Sequence, residues 1–319
     1  MDNTFDGYWG LLSGVMAGAL LSAIYTWLFA RQRLPASYRI AVIGFPQSGK
    51  TTLITALFAF LFRHGERGAA VIPRGDATIQ RINSQMERLE LGLPIGPTTD
   101  QDVFAYRAEV KGRSWLFPKR YKLEIGDFPG EDSVAFAEQF GDWLHQTKYF
   151  DWAISADAFL LVIDCGMVIN DRDGTYVARQ KSAFRAAWQR LQEHYLDGES
   201  DISRRPLILV FTKADLLIPQ EEKEFDGRMR VTPITAEQRS AIDAAAGNML
   251  NVFRDLREYF NHESRAFQRV FTTVVWTVEG EMLGIPRLAS LVLPVPKLLY
   301  LPAQNKRPDM NKDRDAGLA

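Results

Sequence analysis

Gly44-Phe45-Pro46-Gln47-Ser48-Gly49-Lys50-Thr51 is the stretch from which the rest of the chain can be read. Its spacing is G-x-x-x-x-G-K-[ST], a phosphate-binding loop when it joins a strand to a helix. The flanks supply that context. Tyr38-Arg39-Ile40-Ala41-Val42-Ile43 reads as a buried strand, and Thr52 to Phe62 repeats Leu53, Leu57 and Leu61 every fourth residue with Ile54 and Phe58 beside them. That is a helix with a wide apolar face. Gly44 and Gly49 let the backbone turn tightly and aim its N–H groups inward, at the positive end of the helix. Lys50 is then placed to bridge β- and γ-phosphate oxygens, and the Thr51 hydroxyl to bind Mg²⁺. Pro46, Gln47, Ser48 and Thr52 complete the expected cradle.

The remaining composition narrows the possibilities. With 319 residues and 46% hydrophobic side chains, the chain suits one large domain or two small ones with a sizeable core. Thirty-eight basic against 39 acidic residues leave a net charge of −1, which argues against a nucleic-acid surface. A single cysteine, Cys165, excludes an intrachain disulfide and a multi-cysteine metal site.

Tyr8 to Ala30 carries no charge over 23 residues, long enough to cross a bilayer as a helix. Tyr8, Trp9 and Trp27 sit where interfacial aromatics belong, Asp2 and Asp6 precede the run, and Arg31 and Arg33 follow. The expected arrangement is a transmembrane helix over 8–30 with the remainder in the cytoplasm, and a linker over 31–37. Gly10, Gly14 and Gly18 recur every fourth residue and would let another helix approach closely.

Downstream, Ala77 to Leu91 reads as a helix with Ile79, Ile82, Met86 and Leu89 on one side, part of an inserted region over about 64–95. Gln101 to Val110 and Arg120 to Ile125 read as a hairpin. The second strand delivers Asp127-Phe128-Pro129-Gly130: Asp127 can hold Mg²⁺, and Gly130 can offer its N–H to a γ-phosphate. Asp164, after Phe159 to Ile163, is the rival acid. Its alternative role is to cap or brace a loop.

Val134 to Trp152 is rich in aromatics, and Thr175 to Tyr195 carries Phe184, Trp188, Leu191 and Tyr195 on one helical face. The apolar strand Pro206 to Phe211 ends in Thr212-Lys213-Ala214-Asp215. There the Asp215 carboxylate can accept from the N1–H and exocyclic amine of guanine, a donor pair that adenine lacks. The Lys213 stem can lie against the base and brace the phosphate loop. Thr235 to Gln238 reads as a capping box opening a helix through Phe260. Phe267 to Thr277 is the expected last strand, a short helix lies in Gly284 to Leu301, and 304–319 is a polar tail.

Taken together, these motifs resemble the Ras-like P-loop GTPases of the translation-factor-related class. The likeness covers Tyr38 to Gly280, within a domain placed at 38–303. It implies a P-loop NTPase three-layer α/β sandwich with a mainly parallel sheet, binding GTP or GDP with Mg²⁺. Gly44–Thr51, Asp127–Gly130 and Thr212–Asp215 match its first, switch II and guanine motifs. The resemblance places the switch I threonine, a Mg²⁺ ligand, at Thr98 or Thr99, and a weakly matching fifth motif near Thr277-Val278-Glu279. Glu131 stands where many relatives carry the glutamine that orients water, which implies slow unaided hydrolysis by a membrane-anchored switch. The opposing expectation is a nucleotide-dependent scaffold with little turnover. A P-loop kinase or ATPase is a third class, in which T-K-x-D would lack a purpose. An amino-terminal membrane helix before such a domain is similar in architecture to the signal-recognition-particle receptor beta subunit. It is also similar to membrane-tethered components of bacterial multi-gene systems, some in phage defence. Partners at the switch regions follow from the resemblance.

Overall fold

The computed structural model describes residues 15–26, 37–63, 69–91, 93, 95, 104–112, 119–127, 152–196, 201–218, 233–278 and 280–294. Seven strands form one sheet: β1 (Ser37–Gly44), β2 (Ala69–Pro73), β3 (Phe104–Gly112), β4 (Lys119–Asp127), β5 (Ala158–Asp164), β6 (Leu207–Thr212) and β7 (Phe267–Phe271). Their order is β2-β3-β4-β1-β5-β6-β7. Pairing is parallel from β4 through β7, and antiparallel for β2–β3 and β3–β4. The mixed, mainly parallel sheet fits a P-loop NTPase. The chain leaves β1, returns beside it on one side as β4, then crosses to the other side as β5. Sheets wound in this way open a crevice at the carboxyl ends of their parallel strands.

β5 and β6 are buried at every position because helices cover both faces. On one face α2 (Lys50–Arg63) and α3 (Asp76–Glu90) pack with a late helix, Ile285–Val292. They enclose Ile40, Val42, Leu53, Leu57, Leu123, Leu160 and Val210. On the other face lie a short α4 (Cys165–Ile169), then α5 (Thr175–Leu196), α6 (Ala236–Val252) and α7 (Arg254–Glu263); the late helix is α8. Phe184 and Trp188 of α5 and Phe260 of α7 pack there on Phe159, with ring centroids of Trp188 at 5.8 Å from Phe159 and 6.3 Å from Phe260. Tyr195, expected on the same face, is half-buried, and Arg205 donates to its hydroxyl at 2.6 Å.

Three sequence expectations are corrected, and one element is added. The inserted region holds, besides its helix, β2, an edge strand antiparallel to β3. Its amide groups find partners on β3, which needs no strong periodicity over only five residues. On α3 Ile82 is buried and Met86 packs against the core as expected, but Thr78 and Gln85 are also buried there and Ile79 is exposed. The capping box at Thr235 and Gln238 is present, but the helix breaks at Phe253, whose ring is fully buried. That break lets Met249, Phe253, Leu256 and Phe260 all reach one core. The last strand ends at Phe271 rather than Thr277: Thr272 N–H makes the final ladder bond, to the Phe211 carbonyl, and Thr273 N–H then leaves the sheet for the Leu283 carbonyl.

Residues 15–26 are helical and exposed throughout; here α1 denotes this segment. No helix among the described residues is long and apolar enough to cross a membrane. Gly18 lies in this helix with open space around it. Gly10, Gly14, and the aromatic run from Val134 to Asp151 lie outside the described residues. Of that aromatic run, Trp152 is described, and its indole N–H donates to the Ile40 carbonyl at 3.2 Å.

Candidate functional site

The carboxyl ends of β1, β4, β5, β6 and β7 carry the motifs to one sheet edge. The loop after β1 is bent by two left-handed residues, Gln47 at φ 60° and Gly49 at φ 82°. Runs that mix right- and left-handed backbone turn successive N–H groups into one concavity, which suits an anion. Gly44 is needed for a different reason: a Cβ there would come within 2.9 Å of the Val162 carbonyl oxygen on β5. Phe45 fixes the loop from below. It is buried, stands edge-on to Tyr176 at 6.0 Å, and lies under the Arg179 guanidinium.

Lys50 is buried, and its ammonium donates to the carbonyls of Gly44 at 2.8 Å and Phe45 at 3.0 Å, so it folds back along the concavity. Ser48 Oγ is buried with no hydrogen-bond partner among the described residues. A buried hydroxyl of this kind fits a site that takes up a polar group. Pro46 and Gln47 are exposed at the loop's outer rim, and Thr52 is half-buried in the first turn of α2.

The two candidate acids are separated by the structure. Asp127 is buried at the end of β4 and accepts from the Thr51 hydroxyl at 3.0 and 3.1 Å. Asp164 is buried at the end of β5 and does structural work: it caps α4 through the N–H groups of Gly166 and Met167, and pairs with Lys213 at 2.5 Å. One hydroxyl and one carboxylate side by side fit Mg²⁺, which is commonly held by one or two carboxylates together with phosphate oxygens. No cluster of three or more His, Cys, Asp or Glu that could hold a metal by itself occurs among the described residues.

Thr212-Lys213-Ala214-Asp215 is stitched to the phosphate-binding loop. The Thr212 hydroxyl lies 2.7 Å from the Ser48 carbonyl and 3.1 Å from that of Ile163. Lys213, itself left-handed at φ 55°, reaches back with its ammonium 3.2 Å from the Gln47 carbonyl. Asp215 sits in a single 3-10 turn, Ala214–Leu217, and accepts from the Thr273 hydroxyl at 2.5 Å. Thr273 belongs to none of the sequence motifs. β7 stops at Phe271, and the loop residue that meets Asp215 is Thr273, not Thr277 of the expected Thr277-Val278-Glu279, of which Glu279 lies outside the described residues. Thr277 instead pairs with Ile234 in a separate bridge. Beneath the site, burial pushes the Cys165 thiol up, and Asp164 and Asp215 add to the effect, so this cysteine is held protonated.

The inserted helix α3 also reaches the site. Gln85 accepts from Thr55 of α2 at 2.9 Å and from the Tyr106 hydroxyl at 2.7 Å. Arg81, one turn earlier, places Nη2 at 3.8 Å from Asp127 Oδ2. Burial, with Asp127 adding to it, pushes Tyr106 up to about 12, so it remains a donor. Neither Arg81 nor Gln85 belongs to a motif; buried polar positions spaced along an otherwise amphipathic helix were the available signal. Thr98, Thr99, Gly130 and Glu131 lie outside the described residues.

No known family model matches the chain. No curated protein matches it either. Among solved structures it is similar to Methanosarcina barkeri Roco2 RocCORdC bound to GDP, with 12% identity and a TM-score of 0.33, covering 81% of this chain and 48% of that one. The chain thus spans about half the length of that protein. It is also similar to nucleolar GTP-binding protein 1 from Plasmodium falciparum, with 12% identity and a TM-score of 0.33, covering 82% of this chain and 86% of that one. Both likenesses are remote, and the functional reading stands on the geometry of the site.

Proposed function

We propose that this chain binds GTP with Mg²⁺ and hydrolyses it slowly to GDP and phosphate, as a membrane-anchored switch. The observation that carries the reading is the convergence at one sheet edge of Thr51 on Asp127, Thr212 on Ser48, Lys213 on Gln47 and Thr273 on Asp215. In this reading the Gly44–Thr51 amides and Lys50 hold the phosphates. Thr51 and Asp127 hold Mg²⁺, with Thr98 or Thr99 joining in the triphosphate state. Asp215, oriented by Thr273, accepts from guanine, and the Gly130 N–H meets the γ-phosphate. Mg²⁺ supplies charge neutralisation at the phosphate oxygens, and the chain's own groups supply position and further charge.

Membrane attachment rests on the uncharged run from Tyr8 to Ala30, of which 15–26 is an exposed helix. An apolar helix exposed on all sides is at home in lipid or against a partner helix. Partners at the switch regions, and pairing through Gly10, Gly14 and Gly18, belong to the same proposal. The second reading, a nucleotide-dependent scaffold in a membrane complex, is favoured by Glu131 after D-x-x-G, because a carboxylate near the γ-phosphate repels it.

Phosphate release from GTP by the full chain in detergent, with Lys50→Ala as the control, tests the two. Turnover clearly above the control supports the switch. Tight GTP binding with no excess turnover rejects it in favour of the scaffold. Displacement of GTP by ATP at comparable concentration would show that the use made of Asp215 is wrong.

A further inference from the structure

α3 belongs to the inserted region, yet it is fixed to the centre of the site. Gln85 ties it to Thr55 on α2 and to Tyr106 on β3, and Thr55 in turn donates to the Thr51 carbonyl at 2.8 Å. The position of α3 is therefore set relative to Thr51 by hydrogen bonds through buried groups. Four residues before Gln85, and so on the same helical face, stands Arg81. Its guanidinium lies 5.9 Å from the centre of the Tyr106 ring and 3.8 Å from the Asp127 carboxylate, whose side chain is fully buried.

A permanent cation beside a carboxylate that would hold Mg²⁺ weakens that carboxylate's attraction for the metal. Such a placement is favourable where still more negative charge gathers. Around a nucleoside triphosphate, that place is the terminal phosphate. Arginine suits it because its planar fork binds two phosphate oxygens together.

We propose that Arg81, resting on Asp127, turns to the γ-phosphate when nucleotide binds and acts there as a catalytic residue supplied from within the chain. This rests on the GTP reading of the site. In the reaction, a water oxygen forms a bond to the γ-phosphorus as the bond to the β–γ bridging oxygen breaks. GDP leaves with that electron pair, and the water's proton ends on the released phosphate or in solvent. Arg81 offsets the charge that spreads over the transferring group and the bridging oxygen. The insertion thus has a purpose: it carries a cation that related folds can receive from a partner.

The test uses the full chain in detergent, as wild type, Arg81→Lys and Arg81→Ala. Arg81→Lys keeps a positive charge beside Asp127 and so separates catalysis from folding. Three quantities are read: affinity for fluorescent GDP, retention of GDP with aluminium fluoride as a mimic of the transferring group, and single-turnover hydrolysis. Both variants are expected to bind GDP within about twofold of wild type, to lose aluminium-fluoride-dependent retention, and to hydrolyse at least about a hundredfold more slowly. Wild-type retention and rate in Arg81→Lys, or unchanged turnover per folded molecule in Arg81→Ala, would overturn the proposal and leave Arg81 as the counter-ion of Asp127. A wild type that retains GTP without turning it over also overturns it. A wild type that fails to bind GTP overturns the nucleotide reading beneath it, which makes the two failures distinguishable.

Discussion

The Thr51 hydroxyl lies 3.0 Å from Oδ2 of Asp127, a residue 76 positions further along the chain. This contact joins the first turn of α2 to the end of β4. It juxtaposes two hard oxygen donors of the kind Mg²⁺ selects.

Asp127→Ala removes the only carboxylate of that pair while leaving the Thr51 hydroxyl in place. GTP affinity should lose its dependence on Mg²⁺ and fall at least about tenfold, a loss typical of damage at metal sites. Titration with fluorescent GTP in excess Mg²⁺ and then in chelator reads this directly. A variant as Mg²⁺-dependent as wild type would place the metal elsewhere.

Asp215→Asn exchanges one acceptor oxygen for a donor. Two hydrogen bonds to a charged acceptor, at about 1.5 kcal/mol each, predict roughly a hundredfold weaker GTP binding. Xanthine carries a carbonyl where guanine carries its amine, so the asparagine amide can donate to it. Affinity for XTP should rise as affinity for GTP falls, and a competition assay with the two nucleotides shows whether the exchange occurs.

Thr212→Val deletes the hydroxyl shared between the Ser48 and Ile163 carbonyls while keeping the β-branched shape. The buried carbonyls lose a partner, and stability should drop by about 1–3 kcal/mol. Denaturant melts without nucleotide measure the loss. Nucleotide affinity should fall as well, because the motif that reads the base no longer holds the phosphate loop.

Alkaline pH gives a prediction about the buried tyrosines. Burial raises Tyr106 and Tyr176 from 10.0 to about 12, and raises Tyr38 and Tyr121 further. The unfolded chain therefore loses these protons first. The tyrosines' contribution to stability is complete below about pH 10 and is lost as pH rises from there through the folded values. Melting temperature measured from pH 8 to 12 should be level at first and then fall steeply. Tyr106→Phe should soften the fall.

Local patterns in the chain were enough to establish the strand–loop–helix around Lys50, the strand that ends in Asp127, the strand that leads into Thr212–Asp215, and the capping box at Thr235. Each depends on contacts between near neighbours, which spacing alone can reveal. β2 is not legible in the sequence because a five-residue edge strand is held by its partner β3 rather than by its own periodicity. Long-range packing also decided which acid faces Thr51 and which one caps a helix, since Asp127 and Asp164 each stand at the end of a strand. The same holds for Thr273 and Arg81. Their contacts with Asp215 and Asp127 arise only after β7 stops at Phe271 and Gln85 locks α3 onto α2. A motif records what a loop can bind; the sheet that gathers distant strand ends decides which side chains meet it there.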